Sequence, residues 1–278
     1  MRMTVATALG DVAVRCDGPP GAPALLLLHA NPGDGRDYDA VLPALAARHR
    51  TYVVDWPGYG DSTAPDPGLV SPEGLVEVAE RVLDALGAES AVTVVGNSVG
   101  GYVACRLAEG AHVERIAGLV LVDPAGFTAQ NALTRWFCRE VMGRPAVARR
   151  LVVPLARAYL GRRRTPSARA TFGRARGLPY RRERLAVHCA IWRGFADPGF
   201  GLTDPGALDI PVLLLWGRRD PVVPAFLDGR RARRALPRHT VSVLLPTAHE
   251  PYNERPDLFL RHTLAFLEDP RAITPTRR

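Results

Sequence analysis

Gly96-Asn97-Ser98-Val99-Gly100 sets a serine between two glycines. The apolar run AVTVV comes directly before it and the helical pattern GYVACRLAEG begins at its end. A serine on a sharp strand-to-helix turn takes a strained backbone conformation, and side chains two residues to either side would collide. Glycine removes the collision. The helix start also points free N–H groups at any negative charge forming there. A serine hydroxyl is a poor nucleophile near neutral pH and needs an adjacent base. Of the 7 histidines, His249 stands in Thr247-Ala248-His249-Glu250, directly after the last expected strand. The open ends of parallel strands are where such sheets build their sites. His29 also ends a strand, whereas His112, His188 and His262 fall in helical or surface contexts and read as structural. A third group must orient the imidazole and stabilise its cationic form. Asp220, in the turn Trp216–Pro221, follows the penultimate strand; Asp123, after Ile116–Val122, is its rival. Turn context favours Asp220. The chemistry of such a set is attack by Ser98 on a carbonyl carbon, with His249 as base.

These side chains converge only if a sheet brings distant segments to one edge. Short apolar runs bounded by turn residues occur at Ala24–His29, Thr51–Asp55, Ala91–Gly96, Ile116–Val122, Pro211–Trp216 and Thr240–Leu245. Strands apolar along their whole length belong to a sheet buried on both faces, usually a parallel one. Thr4–Leu9 and Val12–Cys16 flank Gly10-Asp11 as an opening β-hairpin. Between the runs lie helical patterns. The clearest starts after Ser71 with Pro72 in first position, carries Leu75, Val78, Ala79, Val82, Leu83 and Leu86, and stops at Gly87. This alternation specifies an α/β sheet with helices on both faces. It fails between residues 128 and 205, which hold helix-like, arginine-rich segments and prolines at 145, 154, 166 and 179. The expected division is a core of residues 1–127 and 206–268, a helical insertion at 128–205 and a flexible tail at 269–278.

Composition narrows the classes. Hydrophobic residues make up 47% and charged residues 23% of 278, so disordered and fibrous classes are excluded. The first twenty residues lack an apolar run of signal-peptide length, and the most apolar stretch, Ala24–Leu28, is too short to span a bilayer. Cys16, Cys105, Cys138 and Cys189 are scattered, which favours free buried thiols over a disulfide framework or zinc site. A reducing cytoplasm is the expected setting. All 36 basic residues are arginine, and 16 of them against only 2 acids fall within residues 135–193, a local net of +14. Outside that segment acids outnumber arginines, and no nucleic-acid-binding motif is present. Nucleic acid is therefore not an expected partner.

With these segments in view, the chain resembles the α/β-hydrolase family over nearly its whole length except the insertion. His29-Ala30-Asn31-Pro32-Gly33 resembles the family's H-G-x-P-G segment, with Ala30 in place of the usual glycine. Asp55-Trp56-Pro57-Gly58-Tyr59-Gly60-Asp61-Ser62 resembles its D-x-P-G-x-G-x-S loop. Trp216–Asp220 and Ala248–Asp257 resemble its acid and histidine segments, and the order Ser98, Asp220, His249 is the family's own. The resemblance implies a mostly parallel, eight-stranded sheet flanked by helices, with residues 128–205 as a helical cap. It implies an oxyanion hole made by the backbone N–H groups of Asn31 and Val99, with His29 holding the loop. It implies no metal and no organic cofactor. Asn31-Pro32 is similar to haloalkane dehalogenases, but their aspartate nucleophile and that of epoxide hydrolases are replaced here by Ser98. Gly96–Gly101 is similar to meta-cleavage-product hydrolases, which break carbon–carbon bonds with the same triad. Esterases, proline iminopeptidases and cofactor-free haloperoxidases share most of these segments.

The expected function is a serine hydrolase that cleaves an ester or thioester of a small to medium apolar acyl group through an acyl-enzyme. Carbon–carbon hydrolysis and a ligand-binding receptor on the same fold are the alternatives. The expected partner is a small-molecule substrate. The basic insertion would suit an anionic one, a carboxylate or the phosphopantetheine of a carrier protein, unless its arginines are solvated helix faces. Trp136, Phe137, Trp192 and Phe195 either line a pocket or pack the insertion onto the sheet.

Overall fold

The computed structural model describes residues 1–87 and 91–270. Of the expected tail, residues 271–278 lie outside the described residues. One eight-stranded sheet organises the chain, in the order β1-β2-β4-β3-β5-β6-β7-β8. Its strands are β1 (Arg2–Thr7), β2 (Gly10–Asp17), β3 (Ala24–Leu28), β4 (Arg50–Val54), β5 (Val92–Asn97), β6 (Ile116–Val122), β7 (Val212–Gly217) and β8 (Val241–Leu245). β2 runs antiparallel to both its neighbours, and every other pairing is parallel.

Alternate residues of each central strand enter different cores. Leu26, Leu28, Val94, Leu119, Leu121 and Leu214 pack on one face; Leu25, Leu27, Val95, Val120, Leu213 and Leu215 pack on the other. Burying one such leucine contributes roughly 2 kcal/mol, which is why these strands read as continuous apolar runs. Helix α1 (Pro72–Ala85) covers the first face with Leu75, Val78, Ala79, Val82 and Leu83. Ser71 caps it by accepting from the Gly74 N–H, and Gly87, at φ +82°, follows its end. Helix α2 (Val99–Glu109) lies on the same face.

The opening hairpin differs from its expected register. Its turn is Ala8-Leu9, and Gly10 already belongs to β2, paired with Thr7. Thr7 Oγ1 accepts from the Leu9 N–H and donates to the Gly10 carbonyl, closing the turn one step before the glycine. Gly10 serves instead at the strand start, at a φ of +96° that glycine alone adopts at little cost.

β4 and β5 lie on opposite sides of β3, so the direction of winding reverses there. Such a reversal opens a crevice beyond the carboxyl ends of the strands. The segments leaving β3 and β5 carry Asn31 and Ser98 into it. Between β6 and β7 no strand occurs among the described residues. That stretch holds a short helix (Ala132–Trp136), a π-helical turn (Phe137–Met142), α3 (Pro145–Tyr159), α4 (Pro166–Gly177) and α5 (Arg182–Gly194). α3 continues through Pro154, and Ala148 and Val152 from it pack with Leu185 and Cys189 of α5 in a small core of their own. After β8 the chain ends its described part in α6 (Pro256–Glu268), whose Phe259 and Phe266 complete the second face.

Candidate active site

Ser98 joins β5 to α2 at φ +55° and ψ −117°, a conformation that costs a non-glycine residue on the order of 1–3 kcal/mol. The glycines around it are required by backbone contacts. A Cβ on Gly96 would lie 2.2 Å from the Gly100 carbonyl oxygen, and one on Gly100 would lie 2.2 Å from the Leu28 carbonyl oxygen. The Ser98 N–H donates to the Val122 carbonyl, and its own carbonyl accepts from Tyr102 and Ala125. Val99 is the first residue of α2, so its N–H is one of the four that a helix start leaves without an intrahelical acceptor.

Asn97 ties this turn to the histidine loop. Its Nδ2 donates to the carbonyls of Val122 (2.9 Å) and His249 (3.1 Å), and its Oδ1 accepts from the Tyr252 hydroxyl. His249 is buried, and its N–H donates to the Tyr159 carbonyl of α3 at 3.0 Å. Glu254 holds the same loop, accepting from the Ala248 N–H and from Arg219. His249 Nδ1 lies 2.6 Å from Asp220 Oδ2, while Asp220 Oδ1 accepts from the N–H groups of Val222 and Val223. Two acceptor bonds from backbone and one from imidazole fix that carboxylate. Ser98 and His249 line the same cavity, and no hydrogen bond joins their side chains.

Asp123 lies beside this pair, ending β6 at φ +42°, and its Oδ1 accepts from the Gly217 N–H. Asp123, Asp220 and His249 each present one polar atom within 4.8 Å of the others. Burial, with the charge of Asp220 added, pushes the Asp123 carboxyl well above the usual range, which favours its protonated form. Of the two candidate acids, Asp220 is bonded to His249 and Asp123 stands close to both.

On the other side of Ser98, the segment after β3 is held by His29. Its Nδ1 meets the Ala30 carbonyl at 2.7 Å, and its Nε2 accepts from the Trp56 N–H at 3.0 Å. The Asn31–Pro32 peptide is cis. Asn31 is anchored through its side chain: Oδ1 accepts from the Tyr59 hydroxyl at 2.7 Å and meets His188 Nδ1 at 3.0 Å, and Nδ2 faces the His188 carbonyl at 3.3 Å. The Asp55 loop is bolted down by its own side chains, with Asp55 accepting from the N–H groups of Gly35 and Asp61.

The cavity holding Ser98, His249 and Asn31 has a volume of about 520 Å³. Trp136, Phe137, Trp192 and Phe195 line it, and Phe195 also packs against the sheet's core. The charged residues on its wall are Asp228 and Arg231, joined to each other at 3.0 Å. None of the sixteen arginines between residues 135 and 193 lines it. Arg174 instead enters the protein to pair with Asp37, and Arg163, Arg169, Arg184 and Arg193 donate to backbone carbonyls.

Residues 23–256 match the family model described as alpha/beta hydrolase fold. The chain belongs to the α/β-hydrolase fold family. Among its relatives is the pimeloyl-[acyl-carrier protein] methyl ester esterase of Aeromonas hydrophila, 28% identical over 86% of this chain and 92% of that one. The magnesium-chelatase 30 kDa subunit of Rhodobacter capsulatus is 33% identical over 37% of this chain, a match spanning only 36% of that protein. A thermophilic esterase from Thermogutta terrifontis superposes with a TM-score of 0.77 at 22% identity, over 98% of this chain and 100% of that one, a likeness of fold.

Within this α/β-hydrolase, three contributors carry no signal in the sequence. Asn97 reads as a spacer in the serine motif, Tyr159 lies in a segment with no motif, and His188 reads as an ordinary helical histidine. Only the fold brings His188 to Asn31, 157 residues away. No helix among the described residues is long and apolar enough to cross a membrane.

Proposed function

We propose that the protein is a serine hydrolase that cleaves an ester or thioester of a small to medium apolar acyl group. The observation that carries this reading is the shared cavity: Ser98 on its strained turn and His249, bonded through Nδ1 to Asp220, open into one largely apolar chamber. His249 Nε2 takes the proton of Ser98 Oγ as the oxygen attacks the carbonyl carbon. Asp220 holds the ring through Nδ1–H and stabilises the imidazolium. The tetrahedral oxyanion is met by the N–H groups of Asn31 and Val99, each worth roughly 3 kcal/mol of barrier. Collapse expels the alcohol or thiol with the proton from His249, leaving acyl-Ser98. Water, deprotonated by His249, then releases the acid. Residues 128–205 act as the cap that roofs this chamber and selects the acyl group.

Three facts support an uncharged acyl portion. Aromatic and aliphatic side chains dominate the wall, the one charged pair on it is internally matched, and the arginines of the cap are turned elsewhere. The relative from Aeromonas, named for a methyl ester on a carrier protein, fits a tethered acyl chain reaching in from outside. The test is labelling with a fluorophosphonate and turnover of esters and thioesters graded by chain length. Wild type labels and turns over; Ser98→Ala loses labelling and at least about 10⁴-fold of kcat. Turnover of a vinylogous diketone with no ester turnover would replace this reading with carbon–carbon hydrolysis. Labelling without steady-state turnover of any substrate would replace it with a receptor.

A further inference from the structure

His188 sits on α5, is 1% exposed, and is among the residues that line the cavity holding Ser98. The hydrogen bonds around Asn31 settle which ring nitrogen carries the proton. The amide must aim its Nδ2 at the His188 carbonyl, which only accepts; Oδ1 therefore faces both the Tyr59 hydroxyl and His188 Nδ1. An amide oxygen only accepts, so Nδ1 is the donor. Nε2 of the neutral ring is then a bare acceptor, and it has no partner among the described residues. Burial supports the neutral form, pulling the imidazole down to about 3.

One turn further along the same face of α5, Trp192 also lines the cavity, its ring centroid 6.4 Å from that of His188. Its Nε1–H, a donor only, is buried and unpartnered as well. An unmet buried donor or acceptor carries a full desolvation penalty, and buried polar atoms are almost always satisfied. Here one acceptor and one donor, four residues apart on a helix, are both buried without a partner on side chains of residues that line a largely apolar chamber.

We propose that His188 Nε2 and Trp192 Nε1 form a polar recognition site, and that the substrate carries a hydroxyl or secondary amide a few bonds from its ester carbonyl. A hydroxyl donates to His188 and accepts from Trp192; a secondary amide does the same with its N–H and C=O. The site adjoins Asn31, so the polar group lies close to the reacting carbonyl, and the rest of the acyl chain meets apolar walls. This inference rests on the reading of Ser98 as the nucleophile.

The test compares methyl 3-hydroxybutyrate with methyl butyrate and methyl 3-methylbutyrate, and methyl N-acetyl-β-alaninate with methyl hexanoate. A parallel set moves the hydroxyl to the alcohol side of the ester. At least one polar substrate is expected to exceed its apolar counterparts about 10-fold or more in kcat/KM. His188→Phe and Trp192→Phe are each expected to bring that ratio close to one, and if the first does not fold the second decides. Equal or better turnover of every apolar counterpart by wild type overturns the proposal, as does a ratio unchanged in both variants. Fluorophosphonate labelling separates the failures. Labelling and ester turnover without the preference sink this inference alone; no labelling and no ester turnover sink the hydrolase reading with it.

Discussion

Asp220 and Asp123 both stand within 4.8 Å of His249, and Asp220 is the one bonded to it. Asp220 takes three hydrogen bonds, one of them from His249 at 2.6 Å, whereas Asp123 accepts from the Gly217 N–H. Replacement by asparagine discriminates between them. Asp220→Asn leaves His249 Nδ1 facing an amide and is expected to lower kcat about 10⁴-fold by the triad precedent. In Asp123→Asn the new amide keeps an acceptor for the Gly217 N–H and supplies an N–H in place of the acid proton. That variant is therefore expected to cost less than about 10-fold in steady-state ester hydrolysis. Reversed magnitudes would make Asp123 the orienting acid. Order and turn context in the sequence favour Asp220, but the part played by Asp123 depends on burial and on a neighbour 97 residues distant, which no local pattern encodes.

At the scale of elements, α4 is fastened to the loop that follows β3. Arg174 on α4 pairs with Asp37 and lies 3.5 Å from Asp34, and Thr171 donates to Asp37 at 3.0 Å. Asp34 and Asp37 also form the capping box of the short turn Gly35–Tyr38, four residues beyond Asn31. Removing the cation strands a fully buried carboxyl. Arg174→Ala is expected to lose roughly 2–4 kcal/mol in urea unfolding, and adding Asp37→Asn is expected to recover part of it. Additive losses would show that the pair is not coupled. The sequence exposes the strand and helix pattern of the core because each element repeats its period there. It hides the docking of α4 because arginine runs look alike whether they face water or a buried aspartate. The hairpin turn departs from expectation for a related reason: Gly10 and Asp11 are turn formers, but the Thr7 hydroxyl closes the chain earlier.

For the molecule as a whole, burying His188 neutral ties stability to pH. Its folded value is about 3 against an ordinary 6.5, so below pH 6.5 the unfolded chain binds a proton that the native protein refuses. Its contribution is complete above pH 6.5 and is lost progressively as pH falls toward 3. Wild type is expected to lose about 2 kcal/mol more than His188→Gln between pH 7 and pH 5, read from urea midpoints at each pH. An identical decline in both would remove His188 as the source. The strands, the serine turn and the histidine loop are legible in the sequence because short-range geometry dictates them. The chamber wall is legible only in part: Trp136, Phe137, Trp192 and Phe195 stand out in the sequence, but the fold decides which surface they face.

The four tryptophans divide between two environments. Trp56 and Trp216 are buried in the core, while Trp136 and Trp192 stand on the chamber wall. Indole emission responds to the polarity and contacts of its surroundings, so the first pair gives a constant background and the second reports what enters. The protein thus carries its own optical gauge of occupancy, and ligands can be ranked by fluorescence titration before any of them is known to be turned over.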